Sequence, residues 1–160
     1  MDQIKSGLSD LEKSVLPWLG RTMKAMDYFI VDTFSAHGLA LTKAQMILLK
    51  VLSANDGLPQ SNLAFITNRD KASLTRLIDT MEKKGLVERS SSNNDKRIKL
   101  VVITESGKKT FKKALPVLME ITRNVQHNIS KSELETTINV LKKISVNINA
   151  DELTTPLKTN

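Results

Sequence analysis

Cysteine is absent from the 160 residues, which excludes disulfides, a thiol redox switch and any zinc site built on thiolates. The two histidines, His37 and His127, stand far apart in no metal-ligand spacing, so no metal is expected. Aromatic residues are scarce at 4%, with one Trp and one Tyr, while a hydrophobic fraction of 40% still suffices for a core. No P-loop, dinucleotide fingerprint or nucleophile–base constellation is present, so neither an enzyme nor a cofactor is expected. There is no secretory leader and no apolar run of transmembrane length, which points to the cytoplasm and away from membranes. Internal repeats and low-complexity runs are lacking too. The length fits one domain, or one domain plus an oligomerisation element.

What the chain has in excess is positive charge. Lys and Arg number 24 against 17 Asp and Glu, a formal net charge of +7. Between Arg69 and Lys113 there are 13 basic and 6 acidic residues, which leaves 11 of each sign elsewhere. All of the excess therefore sits in one segment. A solvated basic face would look the same by charge alone. A phosphate-facing surface is the alternative, because affinity for duplex DNA comes largely from cations that displace condensed counterions.

The chemistry of that segment decides between them. Leu74, Leu77, Ile78 and Met81 recur at i, i+3, i+4, i+7 and predict an amphipathic helix, with Ala72, Arg76, Asp79 and Lys83 opposite. Asp70 suits its N-cap, and Gly85 suits the position after its basic last turn. The period then changes. Leu86–Arg89 and Ile98–Ile103 read as two short strands, joined by the turn-forming run Ser90-Ser91-Ser92-Asn93-Asn94-Asp95. Thr104 is placed to cap a further helix. A capped helix followed by a basic, polar-tipped hairpin is the layout of a winged helix.

Asp95-x-Arg97, followed by Ile103-Thr104-x-x-Gly107, resembles the D-x-R…L-T-x-x-G wing signature of the MarR (multiple antibiotic resistance regulator) family, with Ile103 where Leu is usual. Leu77 and the run from Met81 to Arg89 match the segment that precedes it in that family. The resemblance covers about 35 residues at fixed spacing, a specific signal. It implies a sequence-specific DNA-binding transcriptional regulator of bacterial or archaeal type. The family's first and last helices interlock two subunits, and most members are repressors released by small aromatic or anionic ligands. Without cysteine, the peroxide-sensing chemistry of some relatives is excluded.

The rest of the chain fits that frame. Asp10–Ala36 reads as one long helix with a stripe through Leu11, Val15, Trp18/Leu19, Met26, Phe29/Ile30 and Thr33, either kinked by Pro17 or truly starting near Leu16. Thr42–Gln45 is a capping box that opens a helix burying Ala44, Ile47/Leu48 and Val51/Leu52. Leu58 is a candidate third strand. A short helix starting at Gln60 or Ser61 buries Leu63 and Ile66, and the turn Thr67–Arg69 completes a helix-turn-helix. From Thr104 a helix runs toward Gln126 on Phe111, Leu115, Leu118, Ile121/Thr122 and Val125, with Pro116 a kink site. Ser130–Glu133 is a second capping box, opening a helix that directs Leu134, Ile138, Leu141, Ile144 and Ile148 inward. The expected fold is mainly α with a small β element (α+β). It comprises a winged helix-turn-helix over 39–107, dimerisation helices over 1–38 and 108–150, and a polar tail over 151–160.

The expected partners are double-stranded DNA, a second copy of the chain, and a small aromatic or anionic effector. With the helix from Asp70 in a major groove, Ala72 and Thr75 offer methyl groups to thymine. Ser73 offers a donor or acceptor, and Arg76 a bidentate match to guanine. Lys71, Ser61 and Gln60 suit phosphates. The wing brings Asn93, Lys96 and Arg97, and the resemblance places Arg97 in a minor groove with Asp95 orienting it. Plain alternatives are an Arg76–Asp79 ion pair along the helix and an isolated Asp95–Arg97 pair at the surface. Trp18, Arg21, Tyr28, His37 and Phe111 are the candidates for an effector pocket, each also readable as core or surface. Two other functions fit less well: a non-specific architectural DNA binder, and an interaction module or enzyme with a borrowed winged helix.

Overall fold

Ser14 divides the N-terminal region into two helices, α1 (Asp2–Lys13) and α2 (Val15–Ala36). Of the two readings of Pro17, a kink in one helix from Asp10 or a true start near Leu16, the structure has the second. The Ser14 hydroxyl accepts the Leu16 N–H at 3.3 Å, and Pro17 falls in the first turn of α2, where an N–H would have no partner within the helix. The proline therefore marks a start and not a kink. The computed structural model describes residues 2–91 and 96–148. They form two compact units, one running to Lys43 and the other from Ala44.

In the second unit, α3 (Lys43–Ala54) is followed by β1 (Leu58–Pro59), α4 (Gln60–Ile66), α5 (Lys71–Lys83), β2 (Val87–Ser91), β3 (Lys99–Ile103), α6 (Glu105–Val125) and α7 (Lys131–Asn147). The strands form an antiparallel sheet of order β1-β3-β2. Leu58 pairs with Val101, so the short strand anticipated at Leu58 is present. Val87 pairs with Ile103 and Ser91 with Lys99, which sets the hairpin register. Alternation then sends Val87, Val101 and Ile103 to the core, with Arg89 on the same face as Val87. Asp56 fastens the turn before β1 to this sheet, since its Oδ1 accepts the N–H groups of Ile103 and Gly57, each at 2.9 Å.

The core of this unit joins Met46, Leu48, Leu49 and Leu52 of α3 to Leu63 of α4 and to Leu74, Ile78 and Met81 of α5. Leu86, Val87, Val101, Ile103 and the α6 residues Ala114, Val117 and Ile121 complete it. Three expected faces are rotated. α3 turns Met46 and Leu49 inward and leaves Ile47 exposed; α4 exposes Ile66; α6 buries Gly107, Ala114, Val117 and Ile121, not Phe111, Leu115 and Val125. These helices carry apolar residues on more than one side, so periodicity alone does not select the buried side. α7 buries none of its residues within the chain, and Ile138, Leu141 and Ile148 are exposed where inward positions are expected from the pattern. Among the described residues no element covers its apolar stripe.

Two of the helix starts legible as caps, at Ser130 and Thr104, are built as such. Ser130 and Glu133 form a reciprocal capping box, and their hydrogen bonds hold the Glu133 carboxyl below its ordinary value. Thr104 accepts the Gly107 N–H at 3.0 Å and donates to the Gly85 carbonyl at 2.6 Å, fastening α6 to the end of α5.

Candidate nucleic-acid interface

The helix α5 begins in an extended Asp70 whose carboxylate accepts the Ser73 N–H at 2.8 Å. It ends at Gly85, where φ is 67° and a side chain would be strained. Between these caps Leu74, Ile78 and Met81 are buried, which leaves Lys71, Ala72 and Arg76 exposed. Before it, α4 and the turn through Asn68, at φ 48°, complete the helix-turn-helix. The turn's Arg69 donates from its backbone to the Ala64 carbonyl and from Nη1 to the Ser73 hydroxyl at 3.0 Å.

An open cleft of about 900 Å³ runs between the start of α4, the exposed side of α5 and the base of the wing. Five residues singled out in the sequence line it: Gln60, Ser61, Lys71, Thr75 and Arg97. Gln60 Nε2 donates to Thr75 Oγ1 at 2.8 Å across the two helices. Ala72, Ser73 and Arg76 lie on α5 outside the cleft lining, with Ser73 half-buried. Lys96 and Arg97 are exposed at the base of the wing tip. Asn93 and Asp95 lie outside the described residues, as do 151–160.

The Arg76–Asp79 pair is not formed. Asp79 Oδ1 instead holds Arg89 Nη2 at 2.6 Å, and Arg76 makes no ion pair among the described residues. Arg89 also pairs with Glu82, and its backbone N–H donates to Glu82 Oε1 at 2.8 Å. One guanidinium thus clamps strand β2 onto α5 and lines the cleft floor. Arg69, Arg89, Ile98 and Lys99 are the site residues that sequence reasoning passed over. For Arg89 a weak signal existed, since Val87 and Arg89 share a strand face and the helix opposite ends in acidic Asp79 and Glu82.

The effector candidates are dispersed. On α2, Trp18 is 63% exposed with the Arg21 guanidinium 6.0 Å from its ring centroid. Tyr28 stands ten residues further, about 15 Å along the helix. It borders a shallow depression with Phe29, Val31, Asp32 and Ser35. His37 closes α2, its Nδ1 2.9 Å from the Thr33 carbonyl oxygen. Phe111 belongs to the second unit, where it borders a dip with Leu52, Ser53, Asp56, Ile103 and Lys108. Among the described residues no three acidic, His or Cys side chains are grouped to hold a metal. No helix among them is long and apolar enough to cross a membrane.

Comparison with known proteins agrees with this geometry. The family model described as MarR family matches residues 41–99. An uncharacterized helix-turn-helix-type transcriptional regulator, YdgJ of Bacillus subtilis, is 30% identical over 109 residues, covering 68% of this chain and 66% of that protein. A putative transcriptional regulatory protein for the hcr operon of Thauera aromatica is 29% identical over 61% of this chain and 58% of its own length. The chain thus spans 66% of the first relative's length and 58% of the second's. Among solved structures, a mutant MarR from E. coli complexed with operator DNA superimposes with a TM-score of 0.75 at 25% identity, covering 81% of this chain and 92% of that one. The capped α5, the three-stranded wing, the family match and these relatives converge, and the chain belongs to the MarR family of transcriptional regulators.

Proposed function

We propose that the protein is a sequence-specific DNA-binding repressor that works as a homodimer on a pseudopalindromic operator, and not an enzyme. One observation carries the reading. The cleft beside α5 collects Gln60, Ser61, Lys71, Thr75 and Arg97 around a helix that exposes Ala72 and Arg76. The protein's excess positive charge also lies in the same segment. The operator DNA bound to the E. coli relative supports it. In this reading Arg76, Ala72, Ser73 and Thr75 face bases, and Gln60, Ser61 and Lys71 face the backbone. Asn93, Lys96 and Arg97 carry the wing to a minor groove, with Asp95 supporting Arg97.

Dimerisation is supported by apolar surface that each unit leaves uncovered. On α2, Leu16, Trp18 and Tyr28 are exposed; on α7 and its C-cap, Ile138, Leu141, Val146 and Ile148 are. A two-fold dimer would set two α5 helices one DNA turn apart, about 34–36 Å. A small aromatic or anionic effector, meeting Trp18, Arg21, Tyr28, His37 or Phe111, would release the DNA in the cytoplasm. The test is footprinting of the purified protein on its own genome's DNA. Protection confined to short pseudopalindromes supports the proposal, and uniform coverage of all DNA overturns it.

A further inference from the structure

We infer that Thr75 reads thymine through its methyl group alone, and that Gln60 is a positioning residue which withdraws the Thr75 hydroxyl from the bases; this rests on α5 entering a major groove as proposed above. Thr75 Oγ1 donates its proton to the Lys71 carbonyl at 2.8 Å. The same oxygen receives an N–H of Gln60 Nε2 at 2.8 Å. A hydroxyl has one proton and two lone pairs, so its donor is used and one lone pair is filled, both by protein. Threonine carries only a hydroxyl and a methyl on its β-carbon. With its proton spent and its oxygen held between α4 and the preceding turn of α5, the hydroxyl has no donor to offer a base, and the methyl is the group we assign to the contact.

Other threonines set the comparison. Thr33, Thr67, Thr80 and Thr122 each donate to the carbonyl four residues back, as Thr75 does. Of these five threonines, Thr75 also receives a side-chain donor from a second helix. That donor comes from Gln60, which lines the same cleft, so the arrangement sits where a duplex would dock. A methyl cannot satisfy the donors and acceptors of a base edge. It packs well on the 5-methyl of thymine, the apolar group that distinguishes that base in the major groove. Ser73 is set differently: its oxygen accepts from Arg69 Nη1 at 3.0 Å, and its own proton makes no hydrogen bond among the described residues. Ser73 therefore presents a donor. Several base edges accept one, so Ser73 discriminates among bases less than the Thr75 methyl does.

The experiment begins with selection from a random duplex library by the full-chain protein. Each thymine of the enriched half-site is then replaced singly by deoxyuridine, which removes only the 5-methyl group. At one position the wild type should lose about three- to fivefold in affinity, the contribution of one buried methyl. Thr75→Val, which keeps the methyl and loses the hydroxyl, should retain that ratio. Thr75→Ser, which does the reverse, should bring it close to one. Gln60→Met, similar in length but without the amide, should shrink the ratio at that position and leave the base preference opposite Arg76 intact. Should Gln60→Met weaken all duplexes equally with the ratio unchanged, the role given to Gln60 is overturned. Retention of the wild-type ratio by Thr75→Ser, or its loss in Thr75→Val, overturns the reading by Thr75. No enriched sequence at all would contradict the proposal of sequence-specific binding itself, and this inference with it.

Discussion

The backbone of Gly107 passes so close beneath the Leu86 carbonyl that a β-carbon there would collide with that oxygen and stand 2.8 Å from Ile103 Cγ1. This is why the helix after the wing must start with glycine at its third position: the first turn of α6 is pressed against the end of α5 and the start of β2. Thr104 completes the joint, its N–H donating to the Leu86 carbonyl at 3.1 Å and its hydroxyl to that of Gly85. Gly107→Ala should destabilise the protein by about 1–3 kcal/mol through overpacking against backbone that cannot yield. The urea midpoint measures it, and an unchanged midpoint would mean that α6 can lift off the sheet freely.

Arg89→Met should lower stability by about 1–2 kcal/mol, a value reduced for solvent because Asp79 and Glu82 are 48% and 31% exposed. The substitution keeps the buried stem and leaves two carboxylates on α5 without their shared cation. Urea unfolding gives the cost. Hydrogen exchange should also show faster opening of β2 than of α5, since the clamp joins the strand to the helix.

Acid should loosen the start of α7. The Ser130 hydroxyl and N–H lower the Glu133 carboxyl beneath its ordinary value of 4.5. The folded value is the lower one, so the stabilisation is fully present above the unfolded value and fades as pH falls through the folded one. Amide protection at Glu133 and Leu134, corrected for the intrinsic slowing of exchange in acid, should fall below about pH 4.5. Glu133→Gln should remove that pH dependence. Identical profiles for both proteins would show that the capping box does not act.

The apolar face of α7 supplies a test of assembly. Light scattering at low micromolar concentration should give twice the chain mass of 17.8 kDa. Leu141→Arg, on an exposed apolar stripe, should shift the mass toward a single chain while the helical content holds. A wild-type mass of one chain would contradict the dimer.

How much of this was legible in the sequence follows a physical line. Asp70, Gly85, Thr104, Ser130 and Glu133 act through neighbours two to four residues away or through their own backbone, so their spacing in the sequence announced the helix ends. Leu74, Ile78 and Met81 were legible because α5 is polar on its other sides. α3, α4 and α6 are apolar on more than one side, and which side faces inward is settled by packing partners distant in sequence, so Ile47, Ile66 and Leu115 are exposed where periodicity puts them inward. The break at Ser14 interrupts a continuous helical periodicity, and Pro17 signalled it only as one of two readings, a kink or a true start near Leu16. At the site, Lys71 and Arg97 followed from motif and charge. The Gln60–Thr75 bond and the Arg89 clamp each join separate elements, and residue type alone does not announce such pairings.

The most direct test of the central claim, that α5 reads bases while the wing holds the backbone, is a salt titration of wild type, Arg76→Ala and Arg97→Ala on operator and scrambled duplexes. Arg76→Ala should cost about 1–3 kcal/mol on the operator and flatten the preference at one position of each half-site, with scrambled DNA affected little. Arg97→Ala should weaken both duplexes more evenly and reduce the salt slope by about 1 for each phosphate that the wing no longer neutralises. Unchanged affinity and slope in Arg97→Ala, or equal weakening on both duplexes in Arg76→Ala, would contradict the account.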